Sequence, residues 1–464
     1  MLTYDLDRRG KLARYDYLYR CIREDILAGR LTAGEKLPSK RSLASHLQTA
    51  VITVQNAYAQ LEAEGYLYTR EKRGYYVADV ERHPAAPGRA PARSAPQPQR
   101  SWLLDLSSGG SGTEDFPFSV WAKLMRRVLS EEGEALLRAT PPNGADALRR
   151  AIAQHLYRFR GISAAPEQIV VGAGTEYLYN LIVQLLGREA VYGVEDPGYS
   201  KAARIYALGG ARTSPVLVDE GGVSLRSLEM SGAQILHTSP NHQFPTGAVT
   251  PIGRRQSLLR WAEAREGRYI IEDDYDSELR LSGQPIPTLH SIDMSGKVIY
   301  MNTFTKTLCS TVRISYMILP QPLLKPFYEN LSFYSCTVSN FEQYTLARFI
   351  EEGKFESHVN RLRSHYRKKR DMFLEALHSS RLQDMTEISG SEAGFHFLLT
   401  LRTDVPQETV IARARSKSIK LVPLSAYYYG DAPEHVQNIY VMNFSSLEVS
   451  RAEEICKRLY ACCG

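Results

Sequence analysis

The sequence predicts a winged helix-turn-helix head joined by a linker to a larger, mainly parallel α/β body. Three observations predict it. Residues 81–100, ERHPAAPGRAPARSAPQPQR, hold five prolines and no large aliphatic or aromatic side chain. Such a stretch buries too little apolar surface to fold, and its prolines keep it extended. Before it, three helical periods run into two short strands; after it, apolar runs alternate with helical patterns. The expected division is a head over 1–80, a linker over 81–103 and a body over 104–464.

Composition sets the broad class. With 43% hydrophobic and 23% charged residues in 464, the chain reads as an ordinary globular protein with a sizeable core. No run of about 18 apolar residues suggests a membrane span. The start, MLTYDLDRRGK, lacks the apolar stretch of a secretory signal, so a cytoplasmic protein is expected. The cysteines at 21, 309, 336, 456, 462 and 463 form no CxxC pair and no metal-ligand spacing, which suits reduced thiols and no metal. Cys462 and Cys463 read as an inert tail. The formal net charge of +6 resides in the first quarter of the chain, which points that part toward a polyanion.

In the head, Tyr15, Leu18, Tyr19, Ile22 and Ile26 fall at helical spacing over 11–28, and Gly29 stops the helix. Ser39 can cap a short second helix that buries Leu43 and Leu47. A third helix, about 50–64, is expected to bury Val51, Val54, Ala57, Tyr58 and Leu61, with Thr53, Gln55 and Asn56 on its other face. YLYTREKRGYYVA then reads as two strands around a basic turn containing Gly74. This order is that of a winged helix-turn-helix, whose recognition helix enters the major groove of double-stranded DNA.

The pieces AGRLTAGEKLPSKRSLASHL, TVQNAYAQLEAEGYL and RGYYV resemble the GntR family of bacterial regulators. That resemblance implies DNA contacts from Ser39, Arg41, Thr53, Arg70, Lys72, Arg73 and Gly74. Where the family often carries Ser-Arg at the start of the recognition helix, this chain has Ala50-Val51.

In the body, QIVVG (168–172), AVYGVED (190–196), QILHTSP (234–240), RYIIEDD (268–274) and KVIYMNTF (297–304) read as strands between helical stretches such as 148–159 and 254–264. Repeated strand-helix alternation means a largely parallel sheet covered on both faces, with ligands at the carboxyl ends of its strands. The segments gathered there have the parts of a pyridoxal 5′-phosphate site. An aldehyde needs an amine, and Lys306 can form the Schiff base once burial depresses its pKa. A phosphate needs hydroxyls, a cation and helix N-terminal amides: Thr303, Thr305, Arg313 and the backbone of Gly174, Thr175 and Glu176 supply them. A pyridinium needs a carboxylate, which Asp273 offers, with Tyr275 near the phenolic oxygen and Tyr199 stacked on the ring.

The ordered set GTE, PGY, SPNHQFPTG, IEDDYDSE, FTKTLCSTVRISYMILP, EQYTLARFIEEGKFESHVNRLRSHYRKKRD and AGFHFLL resembles fold-type I aminotransferases. It resembles in particular the MocR/GabR regulators, in which such a domain follows a GntR-like head. The resemblance implies a PLP-dependent transferase body of fold type I, with a smaller C-terminal α+β subdomain, in a head-to-tail homodimer. Two departures stand out. Phe244 replaces an asparagine beside the cofactor phenol, where His242 or Tyr275 can serve instead. Val441 replaces the arginine that clamps a substrate α-carboxylate.

The function expected is a DNA-binding transcriptional regulator that senses an amine or amino acid through external aldimine formation at Lys306. A variant makes pyridoxal phosphate itself the signal, in control of vitamin B6. The alternative is a working aminotransferase with a DNA-binding appendage, and a third reading makes the body a dimerisation module only. Slow or partial transamination is the most the residues suggest.

Overall fold

The computed structural model describes residues 2–80, 102–106, 112–283, 286–445 and 447–463. The chain divides into two compact units, Met1–Gln99 and Arg100–Gly464. Residues 81–101 of the expected linker lie outside the described residues.

The first unit holds α1 (Arg14–Leu27), α2 (Lys40–His46), α3 (Val51–Ala63) and an antiparallel hairpin of β1 (Leu67–Arg70) and β2 (Gly74–Val77). Gly29, at φ +76°, takes the left-handed turn that ends α1. The Ser39 hydroxyl oxygen accepts from the Ser42 N–H at the start of α2. Leu18, Ile22, Leu43, Val54, Ala57, Tyr58 and Leu61 form one core. Two expectations are corrected. Val51 is 43% exposed, because the first turn of α3 projects past the core, and Leu47 is half-buried, because it caps the end of α2.

In the second unit β3 (Leu104–Asp105) pairs with β14 (Ile419–Lys420). The main sheet is built from β4 (Ile169–Gly172), β5 (Val191–Asp196), β6 (Arg212–Asp219), β7 (Gly222–Val223), β8 (Ile235–Thr238), β9 (Tyr269–Asp273), β10 (Val298–Thr303) and β11 (Ser315–Ile318). Their order is β4-β11-β10-β9-β8-β5-β6-β7. The run β10-β9-β8-β5-β6 is parallel, while β11 is antiparallel to both neighbours. Successive residues enter opposite cores: Ile271 and Met301 pack with Leu178 and Ile182 of the helix Thr175–Leu186, whereas Ile270 and Val298 pack with Leu258 and Trp261. Both faces are therefore covered, which is why these strands read as continuous apolar runs. β6 and β11 were not among the runs read from sequence: β6 has a single buried residue, and β11 is a four-residue strand inside the lysine motif.

The smaller sheet, β12 (Thr386–Ser389), β13 (His396–Leu401) and β15 (Ile439–Asn443), is antiparallel. It packs with the helices Lys354–His378, Gln407–Ser416 and Ala452–Cys463 through Phe373, Leu399, Val410, Tyr440 and Leu459. Cys462 and Cys463 belong to this core, so the expected tail is the buried end of a packed helix. Among the described residues no helix is long and apolar enough to cross a membrane.

Candidate functional site

A cavity of ≈ 340 Å³ opens at the carboxyl ends of the parallel strands. Parallel pairing places the end of β9, with Asp273, beside β10 at Met301, and the chain after β10 turns sharply to present Lys306. The turn is held by the Phe304 N–H donating to the Ile314 carbonyl at 2.9 Å, the Leu308 N–H donating to the Phe304 carbonyl at 2.9 Å, and His358 Nε2 at 2.7 Å from the Thr307 carbonyl. Burial pushes the Lys306 ammonium below the ordinary lysine range, against the opposing pull of Asp276 and Asp273. A larger fraction of Lys306 is therefore a neutral, nucleophilic amine.

The Asp273 carboxylate is half-satisfied. Its Oδ2 accepts from the Tyr179 hydroxyl at 2.6 Å and lies 3.4 Å from His237 Nε2. Burial first, and Asp273 second, push the Tyr179 phenol far up, so it remains a donor. Oδ1 is buried with no hydrogen-bond partner. A buried carboxylate oxygen left open toward a cavity fits a cationic N–H, and a pyridinium is such a group.

The opposite rim suits an anion. Gly174, at φ +90°, precedes the helix Thr175–Leu186, and a Cβ there would lie 2.5 Å from Arg313 Nη2. Glu176 sits between Arg313 and Lys201, paired with both, so the trio keeps one net positive charge. Thr303 Oγ1 accepts from the Thr305 N–H at 3.1 Å, and Thr305 Oγ1 donates to the Val312 carbonyl at 3.1 Å.

Thr175, Glu176, Tyr199, Asp273, Tyr275, Thr303, Thr305, Lys306 and Arg313 all line the one cavity; Gly174 is not among the lining residues and stands directly before Thr175. Tyr199 is 44% exposed and meets Phe244 edge-on; the Tyr275 hydroxyl donates to the His242 carbonyl at 3.1 Å. Sequence reasoning did not single out Tyr179, His237, Glu195, Asp276 or His396. Tyr179 follows Thr175 by four residues and so shares its helix face, a signal that was there to find. Glu195 accepts from the Thr238 hydroxyl at 2.6 Å and the Ser239 N–H at 3.0 Å, tying the ends of β5 and β8 together.

In the head, Arg41, Arg70, Lys72 and Arg73 are exposed and Thr53 is half-buried. The Arg70 guanidinium lies over Tyr76, 4.9 Å from the ring centroid. Lys72, at φ +57°, and Gly74, at φ +103°, shape the turn of the wing. The Ser39 oxygen is already engaged as a helix cap.

Residues 103–450 match the family described as aminotransferase class I and II, and residues 14–77 match the bacterial regulatory proteins of the gntR family. The multiple substrate aminotransferase of Thermococcus profundus superposes with a TM-score of 0.68 at 26% identity, over 79% of this chain and 92% of that one. The uncharacterized HTH-type transcriptional regulator YdeL of Bacillus subtilis (strain 168) is 37% identical over 99% of both chains. The probable rhizopine catabolism regulatory protein MocR of Rhizobium meliloti is 33% identical over 92% of this chain and 90% of its own. A gntR-type head ahead of an aminotransferase-type body defines a DNA-binding transcriptional regulator. The chain belongs to the MocR-type family of HTH transcriptional regulators.

Proposed function

We propose that the body holds pyridoxal 5′-phosphate at Lys306 and that a small amine or amino acid, by competing for that site, changes how the chain engages operator DNA. The buried, unpartnered Asp273 Oδ1 beside Lys306 carries this reading. When bound, the cofactor supplies an aldehyde that condenses with primary amines and an electron-poor ring. Asp273 would hold the ring nitrogen protonated. Gly174, Thr175, Thr303, Thr305 and Arg313 would hold the phosphate, Tyr275 would face the phenolic oxygen, and Tyr199 would cover the ring. A homodimer with two heads on one operator is part of the proposal, because spacing two half-sites gives a ligand something to alter. For the coupling to exist, the ligand must bind one arrangement better than the other.

A second reading, in which the cofactor is itself the signal, is favoured by Val441, which lines the cavity where an arginine would clamp an α-carboxylate. One experiment addresses both. The purified protein, loaded with pyridoxal phosphate, is treated with borohydride and mapped by mass, beside Lys306→Ala; binding to an operator duplex is then measured with cofactor, amines and amino acids added in turn. A label fixed on Lys306 and a ligand-dependent change in DNA affinity are expected. A protein that takes up no cofactor overturns the reading.

A further inference from the structure

One end of the cavity presents a hydrogen-bond acceptor. His396 lines it, is 4% exposed, and has an Nε2 that is buried without a partner. Burial, then His242, then Lys306 hold the ring far below the ordinary histidine range, so it is neutral; the Pro245 carbonyl takes its other N–H. Nε2 is then a bare acceptor. His242 lies beside it. Its Nδ1 lies 2.7 Å from Asp276 Oδ2, and a carboxylate only accepts, so Nδ1 carries the proton. Its Nε2 is likewise buried without a partner, and the two rings are 4.8 Å apart. Gly394 leaves room for the pair, since a Cβ there would meet Asp276 Oδ2 at 2.3 Å.

The surroundings of His396 are apolar. Phe244 packs edge-on at 5.1 Å, and Tyr427 and Val441 complete that wall. The described cations lining the cavity are Lys201, Lys306 and Arg313, and Glu176 already occupies two of them. A carboxylate at the His396 end would face a lone pair and no arginine. Accordingly, we propose that the effector is a primary amine carrying a second hydrogen-bond donor, a hydroxyl or a second amine, across a short apolar spacer, and that His396 selects it by accepting from that donor. This rests on the reading of Lys306 as the amine-exchange site.

The test uses the full-length, cofactor-loaded protein and the spectral change on titration with propylamine, 3-aminopropan-1-ol, 1,3-diaminopropane, β-alanine and alanine. The amino alcohol and the diamine are expected to bind about tenfold tighter than propylamine and either amino acid. His396→Phe should abolish that gap, and His396→Gln, which keeps an acceptor, should retain part of it, with loading measured for each variant. Tightest binding of an amino acid, or a gap that survives His396→Phe, overturns the proposal alone. A wild-type protein that takes up no cofactor brings down both readings.

A second inference comes from the head by itself. Val51 and Ile52 are 43% and 58% exposed on the first turn of α3, where a recognition helix reaches base edges. The exposed Arg70, Lys72 and Arg73 of the wing complement a polyanion. Aliphatic side chains in the major groove read the thymine methyl. We infer that Val51 and Ile52 contact thymine methyl groups in each operator half-site. Sites are to be selected from a random duplex library with the full-length protein, and their thymines replaced singly by deoxyuridine. Affinity should fall about threefold to tenfold at one or two positions, and Val51→Ser or Ile52→Ser should erase the methyl dependence at one of them. Indifference to every uracil replacement overturns the inference.

Discussion

The Tyr179 hydroxyl donates to Asp273 Oδ2 at 2.6 Å and leaves Oδ1 of the same carboxylate buried and open. The pair orients a charge before any ligand arrives. Asp273→Asn removes that charge and should weaken pyridoxal phosphate binding about 10- to 100-fold, as expected for a hydrogen bond to a charged group. Tyr179→Phe keeps the charge and loses only its orientation, so a smaller loss, about threefold to tenfold, is expected. Spectrophotometric titration of the cofactor-free protein measures both, and an Asn variant that binds as wild type refutes the pairing.

Lys306 titrates below free lysine because it is buried. The neutral amine is the nucleophile, so its reaction with an aldehyde should rise with pH and level off earlier than that of free lysine. Rates measured from pH 6 to 11 test the sign. The same shift means the unfolded state binds more protons between the lowered and ordinary values. Stability of the cofactor-free protein should therefore rise with pH across that window, and Lys306→Met should flatten this contribution.

Gly174 is at φ +90°, and a Cβ would meet the Arg313 guanidinium. Gly174→Ala should cost about 1–3 kcal/mol of stability from backbone strain, because φ +90° with ψ 163° is a region essentially restricted to glycine, and should also displace Arg313. Urea unfolding with and without phosphate should show a lower midpoint and a smaller stabilisation by the anion; an unchanged response to phosphate would count against an anion site.

Arg160 and Asp274 form a pair that is 2% and 1% exposed, at 2.7 Å. Asp274 also accepts from the Tyr300 hydroxyl and the Asn241 amide, each at 2.7 Å, and it follows Asp273 directly. Arg160→Met leaves a buried carboxylate without its cation, and a loss of about 3–5 kcal/mol is expected from chemical denaturation.

Lys72 and Arg73 are exposed on the wing. Each substitution by alanine should weaken binding to all duplexes to a similar extent and lower the slope of log affinity against log salt by about 1. A slope that stays at the wild-type value removes that residue from the phosphate contacts.

Much of this was legible in the sequence because the signals are local or periodic. The β-strands 169–172, 191–196, 235–238, 269–273 and 298–303 lie inside the apolar runs that announce them, since strands buried on both faces have no polar alternation. Lys306, Asp273 and Arg313 sit in ordered segments, and strand polarity alone brings such segments to one edge. Val51 was misplaced because helical spacing says which residues share a face, not how far the neighbouring helices extend over it.

The sequence by itself determined the two-part architecture, the basic head, and the set of side chains at the strand ends, because periodicity, charge and chain order are properties of neighbours along the chain. Tertiary structure alone decided that Tyr179 and His237 flank Asp273, that His242 pairs with Asp276, and that His396 faces the cavity with an unfilled acceptor. The contacts among these side chains join residues 34 to 94 positions apart, and whether a buried polar atom is satisfied depends on packing in three dimensions, which no local pattern records.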